Sequence, residues 1–306
     1  MAPIDEDGFS LTHLQKATSY IKGKIPSSPR ILIICGSGLG ILADSLQSPI
    51  VIPYGDIPNF PESTIKGHSG QLVFGTISGI NVLCMKGRFH YYEGHSLKKI
   101  TSPVRIAKLL GVELLIITNA AGGVNQKYKV GDIMLIKDHI NFLGFAGTHP
   151  LRGLNDDDFG DRFFPVNRSY DKNIRKIAVE IGQSLGIGPN LHEGVYAMVG
   201  GPNYESPSEV RALRTLNVDA VGMSTIPEVL VAKHCGLKVF GFSLITNECV
   251  ADYDSEKQPN HEEVLAAVNS RTQQLKDFVI KVIEKCNFNV SKNENISSDV
   301  KLSNKT

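Results

Sequence analysis

Hydrophobic positions along the chain fall into two patterns. Short unbroken apolar runs, rich in β-branched residues and ended by Gly or a polar residue, predict buried strands. They are Ile31–Cys35, Asn81–Met85, Leu114–Thr118, Ile133–Ile136, Val195–Val199, Ala220–Met223 and Val239–Thr246. Between them, apolar residues recur at helical spacing over Leu11–Lys22, Pro103–Leu110, Asp171–Leu185, Pro207–Leu216, Ile226–Cys235 and Glu262–Lys285. Strands without polar alternation are buried on both faces. Their alternation with helices predicts an α/β fold: a mixed, largely parallel twisted sheet flanked by helices. No repeat and no Pro/Gly/Ser linker divides the chain, so residues 1–286 are expected to form a single domain. Gly144–Asn167 is glycine-rich, aromatic and charged without a period, which predicts a long functional loop. After Cys286 the chain turns polar, and residues 287–306 are expected to be a disordered tail.

Composition narrows the class of function. The 306 residues are 42% hydrophobic and 21% charged, as in an ordinary globular protein. Thirty-two basic against 31 acidic residues leave a formal charge of +1 and no electrostatic case for nucleic acid. No run of about 18 apolar residues suits a membrane span. The acidic start MAPIDEDGFS lacks the apolar core of a secretory signal. Five widely spaced cysteines without CxxC fit reduced thiols, and with the missing signal they predict a cytoplasmic protein.

In open α/β sheets, ligands bind beyond the carboxyl ends of the strands. Here the strands deliver Gly36-Ser37-Gly38-Leu39-Gly40, Asn119-Ala120-Ala121-Gly122-Gly123, Gly200-Gly201-Pro202-Asn203-Tyr204-Glu205, Ser224-Thr225 and Asn247-Glu248. Five such ends together suggest one site. Gly36–Gly40 admits two readings: a tight strand-to-helix turn, or an anion cradle of backbone N–H groups and the Ser37 hydroxyl at a helix N-terminus. Ile41 stands where a dinucleotide fingerprint needs its third glycine, which counts against a nicotinamide-dependent oxidoreductase. In an extended Gly87–Gly94, Arg88, His90 and Tyr92 would share one face and Phe89 and Tyr91 the other. That face suits a small anion with hydroxyls beside it; the alternative is an edge strand with a solvated Arg88 and a packed His90. Thr225-Ile226-Pro227-Glu228 has the form of a capping box with Pro in the first turn, which accounts for Thr225 and Glu228 but not for Ser224. No zinc spacing, HExxH or GxSxG elbow is present. Asp156–Asp158 fits a solvated loop better than a metal site.

Taken in order, Ile33–Gly40, Ile57–Pro61, Gly87–His90, Thr118–Gly123, Gly222–Thr225, Thr246-Asn247 and Asn260–Ala267 resemble the motifs of the trimeric purine nucleoside phosphorylases, from about residue 10 to residue 285. The resemblance implies a phosphorylase/hydrolase-like fold and a homotrimer serving purine salvage. The activity it implies is reversible phosphorolysis of inosine and guanosine to the free base and ribose 1-phosphate. Phosphate is then a co-substrate, and no metal or organic cofactor is expected. Ser37, His68, Arg88, His90, the Ala120 backbone and Ser224 would hold phosphate. Tyr92, Met223 and His261 would line the ribose, with Phe163 from a neighbouring subunit. Glu205, Asn247 and Tyr204 would face the base, and Asn247, His90 and Glu205 would carry catalysis. The Glu205 carboxylate accepts from N1–H of a 6-oxopurine, whereas N1 of adenine is itself an acceptor, so adenosine is expected to be disfavoured.

Some positions depart from the family pattern. Tyr204 stands where Phe usually stacks on the base, Glu248 replaces the Lys of mammalian members, and the Phe163-Phe164 loop is one residue longer than theirs. The sister methylthioadenosine phosphorylases carry Asp where this chain has Asn247 and a small apolar residue in place of His261, so both positions point away from that branch. A nucleoside-binding protein without turnover is the remaining alternative, opposed by the intact Arg88, His90, Glu205 and Asn247.

Overall fold

The computed structural model describes residues 10–64, 69–256 and 261–286. Its strands are β1 (Ile31–Ile34), β2 (Gln47–Pro53), β3 (Gln71–Ile77), β4 (Ile80–Lys86), β5 (Leu114–Gly123), β6 (Ile133–Asn141), β7 (Leu191–Met198), β8 (Ala220–Gly222) and β9 (Lys238–Glu248). The helices are α1 (Leu11–Lys22), α2 (Leu97–Leu109), α3 (Phe142–Phe145), α4 (Lys172–Ser184), α5 (Pro207–Thr215), α6 (Ile226–His234) and α7 (His261–Lys285). One mixed sheet runs β2-β3-β4-β1-β5-β8-β7-β6-β9. Because β9 also pairs with β5 over Leu114–Gly123, the last five strands close into a ring. The pairs β4–β1, β1–β5, β5–β9, β6–β7 and β7–β8 are parallel.

Side chains along each central strand alternate between two cores. Leu32, Ile34, Leu115 and Ile117 pack toward α1, α2 and α6, whereas Ile31, Ile33, Leu114 and Ile116 pack toward α4 and α7. That division explains why these strands read as continuous apolar runs. All five cysteines are buried free thiols; Cys35 and Cys84 approach to 3.5 Å between sulfurs.

Three sequence expectations need correction. Strands β2 and β3 are absent from the apolar pattern, because β2 is a largely exposed edge strand containing Pro49 and Pro53, and β3 contains Gly75. A Cβ on Gly75 would lie 2.8 Å from the Gln47 carbonyl oxygen, so the glycine admits the irregular start of the β2–β3 pairing. Helix α2 begins at Leu97 rather than Pro103, with Ser96 as N-cap accepting from the Lys99 amide. Pro103 lacks the N–H that would reach Lys99 one turn back. The Ser102 hydroxyl donates to the Lys99 carbonyl instead, at 2.8 Å, so the helix survives its proline. Third, the chain after Gly36–Gly38 enters a seven-residue 3-10 helix, Leu39–Ser45, rather than an α-helix. The expected tail, residues 287–306, lies outside the described residues.

Candidate active site

Strand β1 stops at Ile34, opposite Ile117, whereas β5 runs on to Gly123. Residues 119–121 therefore have β9 on one edge and a cavity of about 400 Å3 on the other. The rest of the wall comes from the other strand ends: Gly36 and Ser37 after β1, Arg88, His90 and Tyr92 after β4, Tyr204 and Glu205 before α5, Met223 and Ser224 after β8, and Asn247 in β9. Most of the expected site residues thus meet in one place. His68 lies outside the described residues. His261 opens α7, whose Val264 reaches the cavity. Phe163 does not line the cavity of its own chain; it projects from the long loop, 88% exposed.

Arg88 is buried, which overturns the edge-strand alternative. Its Nη1 donates to the Thr118 carbonyl oxygen at 2.8 Å, to Ser224 Oγ at 3.0 Å and to Thr225 Oγ1 at 3.3 Å. Nη2 forms a buried ion pair with Glu228 at 3.1 Å. The alternation expected for this segment is present, although it turns into a 3-10 helix at Tyr91–Glu93. Phe89 leaves on the opposite side and joins the rings of Tyr54 and Phe60.

The capping-box reading of Thr225 and Glu228 is wrong. Thr225 is the N-cap of α6, but its side chain makes no cap bond, and Glu228 pairs with Arg88. The Thr225 hydroxyl accepts from Asn119 Nδ2 at 2.9 Å. Thr225 has φ 82° and ψ −53°, and the Ile226 amide donates to the Ser224 carbonyl oxygen at 3.0 Å. This is a γ-turn of the rare, strained hand, and a β-branched residue at positive φ is an outlier that marks functional sites.

The glycine loop makes the tight turn that was one of its two readings. Gly36 N–H is taken by Thr118 Oγ1 at 3.0 Å, and the Leu39 amide closes a turn on the Gly36 carbonyl oxygen. Those two donors serve the turn, while Ser37 lines the cavity. A Cβ on Gly36 would lie 2.6 Å from Asn119 Cα, so glycine is what lets the loop press against β5.

His90 stacks on Tyr92 with centroids 4.8 Å apart, and its Nδ1 lies 3.2 Å from Glu93 Oε1. Burial pushes the imidazole's pKa down, and nearby Arg88 adds to this against the raising pull of Glu93. Burial pushes the Glu93 carboxyl up, but hydrogen bonds from His90 and Thr64 outweigh it and hold the group at about 2. A carboxylate beside Nδ1 favours the tautomer with Nδ1–H, so Nε2 carries the lone pair. Glu93 also accepts from the Thr64 amide and hydroxyl, which ties the loop just before the His68 segment to the site.

The Thr246 hydroxyl lies 3.4 Å from both the Ala121 carbonyl oxygen and Asn247 Oδ1, so its single proton is shared between two long contacts. A Cβ on Gly122 would fall 2.7 Å from Cys249 Sγ and 3.3 Å from Asn247 Nδ2. Glu205 has its pKa raised by burial. Sequence reasoning assigned no role to Asn119, Gly122 or Thr246 and misassigned Thr225 and Glu228. The first three lay inside quoted motifs; for the last two the capping pattern hid the signal. Among the described residues, no three His, Cys, Asp or Glu side chains gather closely enough to hold a metal ion, and no helix is long and apolar enough to cross a membrane.

The phosphorylase superfamily model matches residues 30–284. A purine nucleoside phosphorylase of Bos taurus is 50% identical over 273 residues, covering 89% of this chain and 94% of its own length. The structure of a Schistosoma mansoni purine nucleoside phosphorylase with adenosine superposes with a TM-score of 0.87 at 47% identity, covering 90% of this chain and 98% of that one. The same enzyme with inosine gives a TM-score of 0.87 at 46% identity, over 90% and 97% of the two chains.

Proposed function

The chain belongs to the phosphorylase superfamily and within it to the purine nucleoside phosphorylases, and from that premise we propose how its cavity divides the reaction among its residues. The reaction is phosphorolysis of a purine ribonucleoside such as inosine or guanosine. The bond from the ribose anomeric carbon to purine N9 breaks with its electron pair going to the base, and a phosphate oxygen bonds to that carbon. Run backward, the same site makes nucleoside from ribose 1-phosphate. The transition state resembles an oxocarbenium ion, so the site must hold an anionic nucleophile and stabilise a departing purine anion.

Arg88, Ser224, Ser37, the Ala120 amide and His68 bind phosphate. His90, neutral with its lone pair on Nε2, accepts the proton of hydrogen phosphate and leaves the attacking oxygen unprotonated. Tyr92, Met223 and His261 line the ribose. Tyr204 lies against the purine, Glu205 accepts from N1–H, and Asn247 Nδ2 donates to N7 as negative charge develops there. The observation that carries this reading is the single cavity lined by a buried arginine with hydroxyls and by a carboxylate with an amide. No cofactor or metal is needed, since phosphate itself is the co-substrate.

A homotrimer completes the site, with Phe163 of one subunit covering the ribose of the next. Phe163, Phe145 and Leu154, 88%, 79% and 75% exposed in the isolated chain, give apolar contacts for that interface. A cytoplasmic place and a role in purine salvage accord with the reaction.

The test is base release from inosine, guanosine, adenosine and methylthioadenosine, each with and without phosphate. Phosphate-dependent cleavage of the first two alone is the expected result. The adenosine complex of the schistosome relative shows a 6-aminopurine nucleoside bound to that protein. Discrimination by Glu205 is therefore to be sought in turnover rather than occupancy. Efficient cleavage of adenosine or methylthioadenosine would overturn the base-pocket assignment, and binding without cleavage would make this a nucleoside-binding protein.

A further inference from the structure

Arg88 has a partner that phosphate binding by itself does not call for. The guanidinium is 1% exposed, and three neutral oxygens, from Thr118, Ser224 and Thr225, already meet its Nη1. Those contacts set the direction of the group. Glu228, 3% exposed in the first turn of α6, adds an ion pair to Nη2 at 3.1 Å. What this carboxylate contributes beyond orientation is charge.

A buried guanidinium needs a counter-ion. If phosphate were the sole candidate, it would meet the full attraction of an unneutralised cation at low dielectric. Tight binding of that kind lowers the energy of bound phosphate without helping the transition state. We propose that Glu228 is a positioning residue acting through Arg88: a resident carboxylate that neutralises the guanidinium before phosphate arrives and limits its grip afterwards, keeping the nucleophile exchangeable. The γ-turn at Thr225 is the second half of the device. Its hydroxyl is tied to Asn119 and Arg88, and the turn starts α6 in the direction that lays Glu228 beside Nη2. The inference rests on Arg88 being a phosphate ligand, and the experiment separates failure of the two.

Steady-state phosphorolysis of inosine is measured at varied phosphate, with sulfate as a competing anion, for the parent enzyme, Glu228→Gln and Arg88→Met. Glu228→Gln keeps an acceptor of nearly the same shape and removes the charge. Its phosphate KM and sulfate inhibition constant are expected to fall roughly three- to tenfold, the scale of one unit charge removed several ångströms away. The inosine KM should stay within about twofold, a split that loss of fold stability alone would not produce. A phosphate KM that is unchanged or raised in Glu228→Gln overturns the counter-ion role. Should that chain fail to fold, Glu228→Asp draws the carboxylate back by one methylene, and its phosphate KM should fall at least about twofold; no fall overturns the proposal equally. Arg88→Met tests the premise. An unchanged phosphate KM there removes Arg88 from the phosphate site, whereas a raised one beside an unresponsive Glu228→Gln sinks the counter-ion inference alone.

Discussion

At the scale of single residues, the chemistry depends on environments that side chains cannot show in isolation. Glu205 is a glutamate whose burial raises its pKa, so its protonated form persists above the ordinary 4.5. A protonated carboxyl cannot accept from both N1–H and a 2-amino group. The acid limb of kcat/KM for guanosine at saturating phosphate should therefore lie above the ordinary carboxylate value, and it should vanish in Glu205→Gln, whose activity is lower throughout. A limb that persists in Glu205→Gln would assign it to another group. Asn247→Ala should cost about 10²–10³-fold in kcat, the scale of one lost donor to developing charge, with little change in nucleoside affinity. Glu93 sits in the opposite regime. Its folded pKa of about 2 lies below the ordinary 4.5, so its stabilisation is complete above pH 4.5 and is lost as pH falls toward 2. Acid unfolding followed by circular dichroism should be shallower through that window in Glu93→Gln. Thr225 stores strain of about 1–3 kcal/mol in its positive φ. Thr225→Gly should melt higher than Thr225→Ala, because both lose the hydroxyl but the glycine alone relaxes the backbone.

At the scale of elements, glycines decide how closely the strand ends converge. The Gly36 loop packs onto β5 so tightly that an added Cβ would sit 2.6 Å from Asn119 Cα and 2.8 Å from the Thr118 carbonyl oxygen. Both contacts are with backbone and cannot rotate away. Gly36→Ala should therefore destabilise the fold by about 1–3 kcal/mol, the scale of overpacking, lowering the thermal midpoint and raising the phosphate KM with it. An alanine variant with the parent's melting curve and phosphate KM would refute the close approach. The helices show the complementary lesson. Ser206 and Glu209 form a true capping box at α5, with Ser206 Oγ accepting from the Glu209 amide and Glu209 accepting from the Ser206 amide. The same sequence form at Thr225–Glu228 does not. Both segments pair a hydroxyl with a glutamate three residues on, and both have Pro in the first turn. The difference is a buried arginine, distant in the sequence and so outside any local rule, that reaches Glu228 from the end of β4.

At the scale of the whole molecule, the ring closed by β5, β8, β7, β6 and β9 brings Glu205, Ser224 and Asn247 to the rim that β1 and β4 supply with Ser37, Arg88 and His90. The long loop leads away from this rim. It is anchored by Arg105 over the Phe159 ring at 4.8 Å and by Asn155 against His234 at 3.1 Å, and it leaves Phe163 outward. In the proposed trimer, Phe163→Ala should raise the inosine KM without changing the phosphate KM or the oligomer mass measured by light scattering. A monomeric parent enzyme with full activity would remove the neighbouring-subunit role.

Residue order carries the α/β class, the strands with continuous apolar runs and the helices with strong periodicity, because burial on both faces or on one stripe sets the spacing of apolar side chains. Helix α1 has the expected bounds, Leu11–Lys22. It also determined the set of strand-end residues, whose small or hydrogen-bonding character is visible wherever an apolar run stops. Tertiary structure alone decided β2 and β3, whose edge position and glycine erase the pattern. It likewise decided the roles of Thr225 and Glu228: local rules assign them to a helix end, but a buried cation's need for a counter-charge exceeds the worth of a cap. That need arises only once β4, β5 and α6 have been brought together around Arg88.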